Sequence, residues 1–268
     1  MPNVAVLIAI GLSSGFLAGL LGAGGGFITV VLLLAAGVDI HDAVGTSLVF
    51  VMVVAAWGAA VHLRQGHMRG RLGVAIGLAA AVTAPFGAQL AHAMSDRALT
   101  ISFALLMSVV AVVFVLRSEI RRRDGLQSPV GPPPISGGQV ATRPPIKRKT
   151  IVGAALGGSV IGILQGMFGV GGGFLLVPFM VLALGANEHR AIGNSLVAIL
   201  IGGISGSIRH ASLGSVDVGL LGYLLAGGIA GALAGAVAVR HLRPRTIRIA
   251  FVVLVSASSV YLLLRALL

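Results

Sequence analysis

Polar positions are sparse along this chain, and the gaps between them set its architecture. With seven acids (Asp39, Asp42, Asp96, Glu119, Asp124, Glu188 and Asp217) and the basic residues as boundaries, the uncharged runs are 4–38, 43–63, 72–91, 98–116, 151–187, 191–208, 218–239 and 249–264. A helix that crosses the hydrocarbon core of a bilayer needs roughly 20 apolar residues. All but the first and fifth runs are near that length, and each predicts one crossing. The N-terminal stretch has no positive flank and continues past any plausible cleavage site, so it is expected to stay in the membrane rather than to be removed.

Runs 4–38 and 151–187 are too long for one crossing. As continuous helix each would exceed about 50 Å at 1.5 Å per residue, against a core of about 30 Å. Each also holds a glycine cluster, Gly22-Ala23-Gly24-Gly25-Gly26 and Gly169-Val170-Gly171-Gly172-Gly173. Glycine in a helix interior costs about 1 kcal/mol relative to alanine, so these clusters mark where the helix breaks and a shorter one begins.

The two clusters are copies. Gly22, Gly24, Gly25, Gly26 and Phe27 recur 147 residues further on as Gly169, Gly171, Gly172, Gly173 and Phe174. After a one-residue insertion, Gly45-Thr46-Ser47-Leu48-Val49 matches Gly193-Asn194-Ser195-Leu196-Val197, and His62, Gly66, Gly87 and Arg97 match His210, Gly214, Gly235 and Arg245. A duplication follows, with an N-terminal transmembrane repeat over 1–117 and a C-terminal one over 151–268. Between them, 118–150 is rich in proline and arginine and reads as an extended linker outside the bilayer.

Cytoplasmic loops of membrane proteins carry an excess of Lys and Arg. Arg64, Arg69 and Arg71, and the basic residues of the linker, therefore predict a cytoplasmic second loop and a cytoplasmic linker. If each broken run crossed once, the halves would be parallel, and Arg240, Arg243, Arg245 and Arg248 would fall outside. If each broken run enters and leaves on one side, the halves are inverted and only Arg97, Arg209 and Arg265 lie outside. The inverted arrangement is favoured. The expected fold is an all-α polytopic membrane protein of two homologous, inverted repeats. Each has a glycine-broken, re-entrant or discontinuous first helix followed by three spans.

Non-helical backbone at membrane depth has to be buried in protein or line a watery cavity. At each break, consecutive N–H groups lose their helical acceptors, and the next short helix points its positive dipole end at the same place. Gly24, Gly25, Gly26 and Phe27 with Gly171, Gly172, Gly173 and Phe174 are thus candidate anion-binding residues. Inverted symmetry would bring the two sets face to face. Thr46, Ser47, Asn194 and Ser195 open the following spans and offer neutral hydroxyl and amide groups. His62, Arg64, Arg209 and His210 sit near span ends as candidate gate or entrance residues, and Gln165 stands just before the second break. The competing reading is that glycines and small polar residues only let helices pack closely.

Composition sharpens this picture. Of 268 residues, 57% are hydrophobic and 10% charged, mean hydropathy is +1.04, and the formal net charge is +12. No Asp or Glu occurs inside a span, which leaves out the usual carboxylate relay for protons and a carboxylate-rich cation site. The negative charge is expected to arrive with the ligand. Cysteine is absent and the histidines show no ligand spacing, so neither a metal nor a cofactor is expected. The glycine clusters lack the strand and ribose-binding acid of a dinucleotide site. Gly203-Ile204-Ser205-Gly206 spells a short intramembrane-protease motif, with His241 as a conceivable base, but the repeat partner of Ser205 is Trp57. The basic residues mark orientation rather than a nucleic-acid surface.

The doubled motifs, 19–27 and 166–178, each followed by Gly-x-Ser-Leu, with His210 and Gly214 to Asp217 in the second half, resemble the sulfite exporter TauE/SafE family of membrane permeases. Arg69 departs from the family pattern where the second half carries Asp217. The resemblance implies a non-enzymatic secondary transporter, moving sulfite or an organosulfonate across the cytoplasmic (inner) membrane by alternating access. The residues alone imply a small-anion carrier. A permease for another anion and a non-transporting scaffold subunit are the alternatives. The expected partners are a small anion, the lipid bilayer and, as an option, a second copy of the chain.

Overall fold

The computed structural model describes residues 2–21, 25–64, 71–123, 148–182, 184, 188–238 and 244–267. Side chains at 21, 60–64, 71, 114–123, 148–150, 181–182, 188–190, 236 and 244–248 are likewise left out of the description. Among the described residues every regular element is a helix. In chain order the helices are α1 (Val4–Leu21), α2 (Gly26–Ala35), α3 (Ile40–Arg64), α4 (Arg71–Ala93), α5 (Asp96–Arg123), α6 (Arg148–Phe168), α7 (Gly173–Leu182), α8 (Glu188–Ser212), α9 (Val218–Ala238) and α10 (Pro244–Leu267). Seven of them, α3–α6 and α8–α10, are long and apolar enough to cross a membrane. The first helix, at Val4–Leu20, is slightly shorter.

Local signals set the ends. Asp39 Oδ1 accepts the His41 N–H at 2.8 Å and starts α3, and Asp217 Oδ1 accepts the Leu220 N–H at 3.0 Å and starts α9. Such caps satisfy N–H groups that the first helical turn leaves without partners. Helix α5 continues to Arg123 and α6 starts at Arg148, so helix reaches into both ends of the segment 118–150. Residues 124–147 lie outside the described set.

Small residues decide how the helices meet. Gly11 backs on Leu224 and Gly15 on Gly228, so α1 and α9 run side by side in the same direction. In the other half, Gly158 backs on Ile76 and Gly162 on Ala80, so α6 and α4 do the same. These are equivalent pairs under the 147- and 148-residue offsets of the duplication. A Cβ at Gly158 would lie 2.7 Å from the Ile76 carbonyl oxygen, closer than side chains approach. This close backbone approach is how membrane helices gain packing without a hydrophobic drive between them. Each half thereby lends its first helix to the fourth helix of the other.

The two central helices cross with opposite direction. Gly206 of α8 faces Leu48 of α3, and Gly58 of α3 faces Leu196 of α8, again an equivalent pair. Around this centre the outer helices turn apolar side chains outward. Val74, Leu78, Val82, Phe86 and Leu90 form an exposed stripe at every fourth residue of α4. That stripe matches a lipid-facing helix surface. Arg97 and Arg265 line one cavity of about 340 Å³ with Asp39 and Asp96, which places the start of α5 and the end of α10 at one end of the bundle.

Candidate functional site

Both long runs break at their glycines. Gly25 has φ +59° and its equivalent Gly172 has φ +69°, with Gly169 and Gly171 also left-handed at +64° and +70°. Side chains make this conformation costly, and glycine adopts it freely. Gly25 and Gly172 each then start a short helix. The Gly25 carbonyl accepts the Ile28 and Thr29 N–H groups at 3.2 Å, and the Gly172 carbonyl accepts those of Leu175 and Leu176 at 3.0 and 2.8 Å. The N–H groups of Gly26, Phe27, Gly173 and Phe174 find no acceptor among the described residues. They are the free donors expected of a helix start.

The short helices fold back. Gly157 of α6 faces Phe179 of α7, and Gly153 faces Leu184 just beyond it, so α7 returns along α6 toward the end where α6 began. Gly25 likewise rests on Ser14 and Ala18 of α1, as Gly172 rests on Ile161 and Gln165. Each broken run is therefore a hairpin with its tip inside the bundle.

The two tips meet. The Phe27 and Phe174 rings are 5.7 Å apart, and a Cβ on Gly26 would stand 2.7 Å from the Val170 carbonyl. Around them stand Val51 and Ile199, equivalent residues near the middle of α3 and α8, both beside Gly171. Phe27, Phe174, Val51 and Ile199 are all fully or almost fully buried.

The Gly-x-Ser-Leu side chains serve this framework. Ser47 Oγ donates to the Gly26 carbonyl at 3.1 Å and holds the first tip. Ser195 Oγ instead donates to the Ile192 carbonyl of its own helix at 2.7 Å. Thr46 Oγ1 accepts the Asp217 N–H at 3.0 Å, and Asn194 Oδ1 accepts the Gly73 N–H at 3.3 Å. Ser47 therefore reaches a tip, whereas Thr46 and Asn194 join one half to the other.

Of the candidate entrance residues, His210 is buried, with Nε2 donating to the Gly166 carbonyl at 2.7 Å. Arg209 binds Gln89 Oε1 across the α4–α8 contact and Ser212 Oγ at 3.3 Å. Gln165 is buried beside the second tip; its Nε2 donates to the Ile199 carbonyl at 3.0 Å, and its Oε1 has no partner. Gly24 and the side chains of His62 and Arg64 lie outside the described residues. Ser205 Oγ donates to Gly202 of its own helix at 3.0 Å, and His241 lies outside the described residues. Among the described residues no three metal-ligating side chains cluster.

Three residues beside the tips were not legible as site residues from motifs. Ser14, fully buried with an unpartnered Oγ, stands next to the first break, where the second half has Ile161. Gly202 and Gly203 flank Gln165; the equivalent positions of the first half are Val54, Ala55 and Ala18. Their signal is a departure from the repeat, which a search for agreement passes over.

Residues 7–262 match the family described as Sulfite exporter TauE/SafE. A probable membrane transporter protein of Xylella fastidiosa (strain 9a5c) is 29% identical over 99% of this chain and 97% of its own length. The probable membrane transporter protein YdhB of Bacillus subtilis is 28% identical over 83% of this chain and 84% of its own. A probable membrane transporter protein of Haemophilus influenzae is 30% identical over 76% and 72%. No solved structure matches the chain.

Proposed function

The chain belongs to the sulfite exporter TauE/SafE family of membrane transporters, and from that premise we propose that it carries a small sulfur-containing oxyanion, such as sulfite or an organosulfonate, across the cytoplasmic membrane. The observation behind this reading is the meeting of two left-handed glycine tips, each presenting unpaired N–H groups at the start of a short helix. Such a pair of helix starts favours negative charge without a fixed cation. Neutral donors bind an anion weakly enough to release it.

In this proposal the halves have inverted topology. The antiparallel α3 and α8 and the hairpins of α6–α7 and α1–α2 support it. Transporters built from inverted repeats place their ligand where discontinuous helices meet, and expose it alternately to each side as the repeats rock. Phe27 and Phe174 close the site in the observed state, and parting of the two tips opens it. The linker and the arginine-rich loops face the cytoplasm.

The test is flux in proteoliposomes for sulfite, sulfoacetate, sulfate and chloride, comparing the wild type with Gly172→Ala. A methyl group there stands 3.0 Å from Ile161 Cγ2 on a backbone at φ +69°. The expected result is wild-type flux of a sulfur oxyanion that falls in the folded variant. No flux of any anion would favour a scaffold role instead.

A further inference from the structure

We infer that the carried anion brings a hydrogen-bond donor of its own, an O–H group beside its anionic oxygens, and gives it to Gln165 Oε1. The inference rests on the reading that the glycine tips hold the anion, and it narrows the class of anion.

Gln165 lies on α6, one turn before the second break, and is 1% exposed. Its amide has a determined orientation. Nε2 donates to the Ile199 carbonyl at 3.0 Å, and a carbonyl only accepts, so the nitrogen faces Ile199. Oε1 therefore points the other way, between the second tip and α8. A Cβ on Gly172 would lie 3.7 Å from Oε1, and one on Gly202 would lie 2.9 Å from it. No donor reaches this oxygen among the described residues. A buried acceptor without a partner is costly and rare in folded proteins.

The duplication shows that the space for this group is particular to one half. Gln165 stands where the first half has Ala18, and Gly202 stands where it has Val54. The polar side chain on the first helix is accommodated by removing a branched one from the facing helix. Glycine is a poor helix former, and Gly202-Gly203 occurs in the middle of a spanning helix. Packing alone would be served by the alanine and valine that the first half retains.

The chemistry of the pair selects the ligand. The N–H groups of Gly173 and Phe174 donate, and they suit anionic oxygens. Gln165 Oε1 only accepts, so it opposes a bare anionic oxygen and favours an O–H. A hydroxyl-bearing sulfonate presents both. A site built around a hydrogen bond discriminates strongly against an analogue that lacks the group, because its own buried atom is then left unpaired.

The experiment compares isethionate with propanesulfonate, which replaces the hydroxyl by a methyl of similar size. Rates are measured in proteoliposomes holding the full chain. Wild type is expected to move isethionate about tenfold or more faster. Gln165→Met, which keeps the shape and removes the acceptor, is expected to bring the ratio to within about twofold while propanesulfonate flux persists. If that variant does not fold, Gly202→Ala puts a methyl against Oε1 and is read by the same ratio. Equal wild-type rates, or an undiminished preference in a folded variant, would overturn the inference. Flux of neither sulfonate would also overturn it, and sulfite flux in the same vesicles would then leave the carrier reading standing by itself.

Discussion

Thr46 and Asn194 occupy the same place in the two halves, and each accepts a hydrogen bond from a backbone N–H of the opposite half. Thr46 takes that of Asp217 at 3.0 Å, and Asn194 takes that of Gly73 at 3.3 Å. A threonine and an asparagine thus perform one task, because the requirement is an acceptor at a fixed height on the central helix. Each receives the start, or the residue just before the start, of the other half's fourth helix.

Removing either acceptor leaves a donor unpaired, and the consequence scales with how buried that donor is. Gly73 is buried, whereas Asp217 is only half-buried. Asn194→Ala is expected to cost about 1–3 kcal/mol of stability, and Thr46→Val distinctly less. Thermal unfolding in detergent, followed through the single tryptophan, Trp57, or by circular dichroism, checks the order. Equal losses, or none, would show that these bonds do not hold the halves.

Glycines at helix contacts and glycines at open positions should respond in opposite ways. At Gly158 a Cβ would stand 2.7 Å from the Ile76 carbonyl oxygen, whereas at Gly222 nothing lies within 4 Å. Gly158→Ala forces α4 and α6 apart and is expected to destabilise by roughly 1–3 kcal/mol. Gly222→Ala sits in the same kind of helix without a neighbour, and is expected to be neutral or to stabilise by up to about 1 kcal/mol. Melting temperatures of the two variants, measured side by side, decide the matter.

The duplication made much of this arrangement legible. Charge-free runs located the spanning helices, and two runs too long to cross located the breaks at Gly25 and Gly172. For the course of the chain after a break the sequence offered only the balance of basic residues, which favours a return; the contact that carries a return in the second half, Gly157 against Phe179, is tertiary and no spacing records it. Thr46 and Asn194 read as ligand donors because small polar groups in a span suit either a ligand or a neighbouring backbone, and spacing does not separate the two. Ser14 and Gly202 were invisible for another reason. They are departures from the repeat, at Ile161 and Val54, and become meaningful only when packing shows what faces them.

The orientation of the halves has a direct test, since the chain contains no cysteine and single cysteines can be placed at will. Ala93, at the end of α4, and Leu267, at the end of α10, are both exposed. Arg97 and Arg265, close to them in sequence, line the same cavity. An inverted pair of repeats sends both positions outside, because only Arg97, Arg209 and Arg265 escape the cytoplasmic face. Parallel repeats would put the end of α4 outside and the C-terminus inside. Ala93→Cys and Leu267→Cys, labelled in intact cells with a membrane-impermeant maleimide, are expected to react alike. Labelling of Ala93→Cys alone, with Leu267→Cys reacting only after the membrane is opened, would reverse the second half and remove the inverted arrangement from the mechanism.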